Sequence, residues 1–115
     1  MSKPAAVTKK TAVRGSRTGR PVMALLDLLG RRWTLRVLWE LRSGPLTSRA
    51  LRTACGGVSP TVINDRTKEL RAAGLVELTE PAGYEMTPLG RELFTRFLPL
   101  VEWAERWDKA RPAKR

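Results

Sequence analysis

The stretch GGVSPTVINDRTKELRAAGLV, residues 56–76, brings together side chains with varied hydrogen-bonding chemistry. Ser59 and Pro60 open it as a capping hydroxyl and a first-turn proline open a helix. From Ile63 the spacing to Thr67 and Leu70 is i, i+4, i+7, which aims that stripe at a core and leaves Thr61, Asn64, Asp65 and Lys68 facing outward. A merely solvated helix repeats Glu and Lys; this face offers a hydroxyl, a carboxamide, a carboxylate and an ammonium. Those groups can read the edges of bases. Asn can bond adenine through two atoms, Thr can meet a base or a thymine methyl, and Lys can reach guanine or a phosphate. A good bidentate pair discriminates by about 1–3 kcal/mol. Asp65 either accepts from cytosine or restrains Lys68 and Arg66. The plainer alternative for this face is an ordinary exposed helix surface.

Other chemistries find little support. The chain has no histidine and a single cysteine, Cys55, so the usual zinc ligand sets, the usual general base and an internal disulfide framework are all missing. The acidic residues are scattered over helix and hairpin positions and form no inward-facing pair, and no glycine-rich phosphate loop occurs. The expectation is a protein that is not an enzyme, with no catalytic residues, metal site or cofactor.

The charge balance points to a polyanion. Against 11 acidic residues stand 22 Lys and Arg, a net of +11 on 115 residues, which suits nucleic acid or an acidic membrane surface. Lys3, Lys9, Lys10, Arg14, Arg17 and Arg20 fall in the first twenty residues with no acid among them, so residues 1–20 read as a disordered basic arm and 111–115 as a basic tail. The arm is either a solubilising tail or a contact to a nucleic-acid backbone. No apolar run is long enough for a signal peptide or a membrane span, so the expected place is the cytoplasm, with no membrane partner.

Residues 21–110 must then form the one domain that positions the reading face. VMALLDLLG predicts a short, well buried helix closed by Gly30. RRWTLRVLWELRSG predicts an amphipathic core helix with Trp33, Val37, Leu38 and Leu41 on one side, stopped by Gly44 and Pro45. LTSRALRTACGG predicts a shorter helix capped by Thr47 or Ser48, with Leu51, Ala54 and Cys55 inward and a turn at Gly56 and Gly57. Two short helices across a glycine turn outline a helix-turn-helix. After Gly74 the period falls to two: LVELT and GYEMT predict strands joined by EPAG. Thr87 and Pro88 start a last helix whose stripe Leu89, Leu93, Phe97, Leu100, Ala104 and Trp107 is close to a coiled-coil seam; Pro99 either kinks it or divides it in two. The predicted fold is α+β and mostly helical: a winged helix-turn-helix with a two-stranded wing and a C-terminal dimerisation helix.

These residues also resemble a family, the HxlR-type winged helix-turn-helix transcriptional regulators of bacteria. The likeness covers about residues 20–107, through PVMALLDLLGRRWTLRVLWEL, GPLTSRALRTACGGVSPTVINDRTKELRAAGLV, YEMTPLGREL and WAERW in that order. It implies a sequence-specific regulator that binds double-stranded DNA as a homodimer, its terminal helices paired and its recognition helices in successive major grooves of a pseudo-palindromic operator. Carried onto this sequence, Ser59, Thr61, Asn64, Asp65 and Lys68 would approach DNA, with Arg49, Arg52 and Arg66 positioning the helix. Leu93, Phe97, Leu100, Trp103, Ala104 and Trp107 would form the dimer interface.

The sequence departs from that pattern at several places. Arg20 stands where family members often carry an oxidant-sensing cysteine, and Cys55 stands at a core position usually aliphatic, as a small packed hydrophobe. Ser48 and Thr67 replace bulky apolar residues, which predicts a thinner core. The wing is short and carries Glu77, Glu80 and Glu85, which phosphates would repel, so the basic arm is expected to take over part of its role. The alternative function is a winged-helix module that binds protein without reading DNA sequence.

Overall fold

The computed structural model describes residues 20–113. The expectations for the basic arm, apart from Arg20, and for the last two residues of the tail lie outside the described residues. The elements are α1 (Pro21–Leu29), α2 (Thr34–Glu40), α3 (Ser48–Ala54), α4 (Pro60–Ala72), β1 (Val76–Thr79), β2 (Gly83–Met86) and α5 (Pro88–Ala110). Helix, glycine turn, helix, hairpin and terminal helix follow in the expected order, and the fold is a winged helix-turn-helix. The chain divides into two units between Leu35 and Arg36, inside α2.

In the first unit α1 starts at Pro21 and closes where the Gly30 amide donates to the Leu26 carbonyl at 2.9 Å. The expectation that α1 is well buried is corrected: none of its residues is buried, and Val22, Met23 and Leu26 are exposed. The helix is apolar on nearly every side, and a helix covers only one stripe against a neighbour. A second correction concerns Trp33, which was expected inside the following helix. Its backbone has φ 79°, a left-handed conformation unusual for a residue with a Cβ, and α2 begins only at Thr34. The Arg32 guanidinium lies over the Trp33 ring, 5.4 Å from its centre.

The second unit holds the core around the helix-turn-helix: Val37, Leu38, Leu41, Leu51, Cys55, Ile63, Leu70, Leu75, Val76 and Met86 are buried. After α2 a 3-10 turn, Leu41–Ser43, leads to Gly44. Arg36 ties α2 to the end of α3, bonding Glu40 at 2.7 Å and the Ala54 carbonyl at 2.9 Å. Of the two capping candidates for α3, the hydroxyl of Thr47 is the one used, accepting from the Ala50 amide at 3.1 Å.

The hairpin pairs Val76 with Met86, Glu77 with Glu85, Leu78 with Tyr84 and Thr79 with Gly83. Leu46 adds a bridge that was not expected, exchanging backbone bonds of 3.0 and 2.8 Å with Tyr84. It is the reason for glycine at 83, where a Cβ would stand 2.3 Å from the Leu46 carbonyl oxygen. α5 runs unbroken through Pro99, so the division of that helix is not observed.

Candidate nucleic-acid interface

Ser59 begins α4 by accepting from the Val62 amide at 3.3 Å, with Pro60 at the first position. Ile63, Thr67 and Leu70 are the buried residues of α4. Fully burying Ile63 or Leu70 is worth about 1.5–3 kcal/mol each, enough to fix which side of the helix turns out. Thr67 fills its place without an orphaned hydroxyl: its Oγ1 donates to the Ile63 carbonyl at 2.9 Å and to the Asn64 carbonyl at 3.2 Å. Thr61, Asn64, Asp65 and Lys68 are exposed together on the opposite side.

The structure distributes the cations of this region unevenly. Arg49 is exposed on α3; Arg52 is half-buried, with its Nε enclosed and unbonded. Arg66 does not stand with the exposed set: its side chain is 12% exposed and reaches Glu69 at 3.4 Å. Asp65 pairs with neither Lys68 nor Arg66, so the restraint considered for it is not seen. Arg71, in the last turn of α4, is exposed. Sequence reasoning passed over Arg71, although spacings of four and three from Asn64 through Lys68 lead to it.

Among the described residues Arg49, Arg52, Lys68 and Arg71 make no ion pair. Other arginines are engaged: Arg36 with Glu40, Arg96 with Glu92, Arg111 with Asp108, and Arg42 stacked 4.0 Å over the Trp39 ring. Arg91, Arg106 and Lys109 are unpaired but spread along α5 among Glu92, Glu102, Glu105 and Asp108. On α3 and α4 the exposed surface carries Asp65 as its carboxylate, beside the half-buried Glu69. That surface therefore keeps a net positive charge available to an anion.

The hairpin differs in sign. It holds no Lys or Arg, and Glu77 lies directly across the ladder from Glu85, a like-charge pairing that costs stability. Thr79 donates to Glu85 at 3.4 Å. Cys55, between the two helices, is buried. Burial pushes its thiol pKa above the ordinary 9.0, with Arg36 lowering it and Glu40 raising it by smaller amounts.

The stripe assigned to α5 divides along its length. Leu93 and Phe97 are half-buried, whereas Leu100, Trp103, Ala104 and Trp107 are exposed. The indoles of Trp103 and Trp107 lie nearly parallel, 13° between planes and 6.4 Å between centres, and Arg111 continues the column 4.4 Å from the Trp107 ring. Among the described residues no group of His, Cys, Asp and Glu could hold a metal ion, and no helix is long and apolar enough to cross a membrane.

Comparison with known proteins gives a consistent picture. The family described as HxlR-like helix-turn-helix matches residues 28–112. The Bacillus subtilis HTH-type transcriptional regulator YybR is 24% identical over 105 residues, covering 86% of this chain and 84% of that one. The Mycobacterium bovis HTH-type transcriptional regulator Mb3122 is 30% identical over 95 residues, 77% of this chain, which spans 60% of that relative's length. Among solved structures, quinone-bound YodB from Bacillus subtilis superposes with a TM-score of 0.69 at 26% identity, over 74% of this chain and 96% of that one.

Proposed function

This chain belongs to the HxlR-like helix-turn-helix family, a family of transcriptional regulators, and we propose that it binds double-stranded DNA as a homodimer that reads a pseudo-palindromic operator. The observation that carries this reading is the exposure of Thr61, Asn64, Asp65 and Lys68 together on α4, with cations on α3 and α4 that make no ion pair among the described residues. In that role Asn64 and Lys68 meet base edges, Ser59 and Thr61 approach the groove from the start of α4, and Asp65 accepts from cytosine. Arg49 and Arg52 hold phosphates. Arg66, held by Glu69, serves the helix by fixing its seat.

The exposed stripe of α5 supports the homodimer, because two indoles and a leucine open to water on one helix are the kind of surface that a twin covers. Two copies paired this way would present their reading helices about 34–36 Å apart, one turn of duplex. Cys55 takes no part in sensing: it is a small packed hydrophobe.

Lys68→Ala tests the reading. On the site recovered by binding selection from genomic DNA, the variant should lose about 1–3 kcal/mol of binding free energy per copy while its melting temperature stays that of the parent. Equal binding by the variant would remove Lys68 from the interface. One observation favours a second reading, the carboxylates Glu77, Glu80 and Glu85 on the wing, which make no ion pair among the described residues and suit a module that binds protein. A specific-to-nonspecific affinity ratio near unity at physiological salt, where regulators reach roughly 10³ or more, would favour that second reading.

A further inference from the structure

Building on the DNA-binding reading, we infer that Arg71 is a phosphate-positioning residue at the far end of the reading helix. At about 100° per residue, Asn64, Lys68 and Arg71 lie within roughly 60° of one another around α4, and Arg66 lies roughly 150° away from them. One edge of the helix is therefore open and cationic. The other is closed, because Arg66 is 12% exposed and paired with Glu69.

Length leads to the same residue. Thr61 and Arg71 are separated by ten residues, about 15 Å along the helix axis. The major groove is about 12 Å wide. A helix seated with Thr61 near one wall carries Arg71 to the other, where a guanidinium meets the phosphate backbone and not a base. The side chain is exposed and makes no ion pair, so no existing contact has to break. The wing offers no substitute, since the hairpin contains no cation and presents Glu77 opposite Glu85.

The test is the salt dependence of duplex binding, measured by fluorescence anisotropy between roughly 50 and 200 mM salt on specific and unrelated DNA. Arg71→Ala should make the slope of log affinity against log salt shallower by about 0.9 per copy, so the dimer loses about tenfold less affinity over that range than the parent does. Its weakening should be equal on both duplexes, and Arg71→Lys should restore the slope. Arg66→Ala should leave the slope unchanged while lowering the melting temperature, which separates an electrostatic role from a structural one. A salt-dependent parent with an unchanged slope in Arg71→Ala overturns the inference and leaves the DNA-binding reading standing. A parent with no measurable affinity for duplex DNA overturns both.

Discussion

Trp107→Ala should break the proposed homodimer while leaving the single chain folded. Trp107 is 46% exposed and Trp103 47%, each stacked on the other and Trp107 also on Arg111. A tryptophan in a core or interface buries roughly 150–250 Å², so about 100 Å² of Trp107 is open on a single chain and about 200 Å² on two. At about 25 cal/mol per Å² that surface is worth up to about 5 kcal/mol when covered. The alanine keeps part of the contact and neighbouring side chains close in, which sets the expected loss at about 2–5 kcal/mol. The dimer dissociation constant should therefore rise by a factor between about 30 and a few thousand. Sedimentation velocity across a concentration series measures this directly, with far-UV circular dichroism as the check on folding. An unchanged dissociation constant for Trp107→Ala, or a parent that stays monomeric at high concentration, would refute the assignment of α5 as the interface.

Two further outcomes follow from buried groups on the helix-turn-helix. Thr67→Val should change the free energy of unfolding in urea by less than about 1 kcal/mol, because the hydroxyl donates to helix carbonyls that keep their own amides, so nothing is orphaned; a loss above about 2 kcal/mol would show that the hydroxyl holds α4 in place. For Cys55 the folded thiol has its pKa raised above 9.0, so its contribution to stability is complete below pH 9.0 and falls as pH rises through the folded value; Cys55→Ala should remove that alkaline component from a stability-against-pH curve, and an identical curve would refute it.

Much of this arrangement was legible in the sequence where a local rule settles the matter. Ser59 with Pro60, Thr47 and Thr87 each cap the helix they were expected to begin or adjoin, and the change of period after Gly74 marks the hairpin correctly. The outward face of α4 followed from Ile63 and Leu70. The features that were not legible depend on partners far along the chain or on a backbone state without a sequence signal. Leu46 pairs with Tyr84 across the fold, and a single residue between Pro45 and Thr47 has no alternation to announce a strand. Trp33 adopts a left-handed backbone where glycine or asparagine would be expected, and the helical periodicity of its neighbours runs straight across it. The sequence pattern put Arg66 among the positioning groups and passed over Arg71. Their places around α4, roughly 140° apart, separate them: Arg66 is turned inward and paired with Glu69, and Arg71 is left open.

The joint at Leu75 explains how a surface on α5 bears on a face of α4. The Leu75 amide donates to the Leu70 carbonyl at 3.0 Å, closing the end of α4, and its own carbonyl accepts from the Thr87 amide at 3.1 Å, at the start of α5. Thr87 adds a second tie, its hydroxyl donating to the Gly74 carbonyl at 2.7 Å while accepting from the Gly90 amide at 3.0 Å. The fit is close enough that a Cβ on Gly90 would stand 2.0 Å from the Leu75 carbonyl oxygen, where backbone has no freedom to move aside. The end of α4 and the beginning of α5 are thus bonded through the same two residues, with the hairpin carried as a loop between them. In the proposed homodimer the angle between α4 and α5 is fixed within each copy, so the way the two α5 stripes meet sets the separation of the two reading faces. Under that proposal operator spacing would be set by the contact among Leu100, Trp103 and Trp107, which are exposed on α5 and not on the outward face of α4.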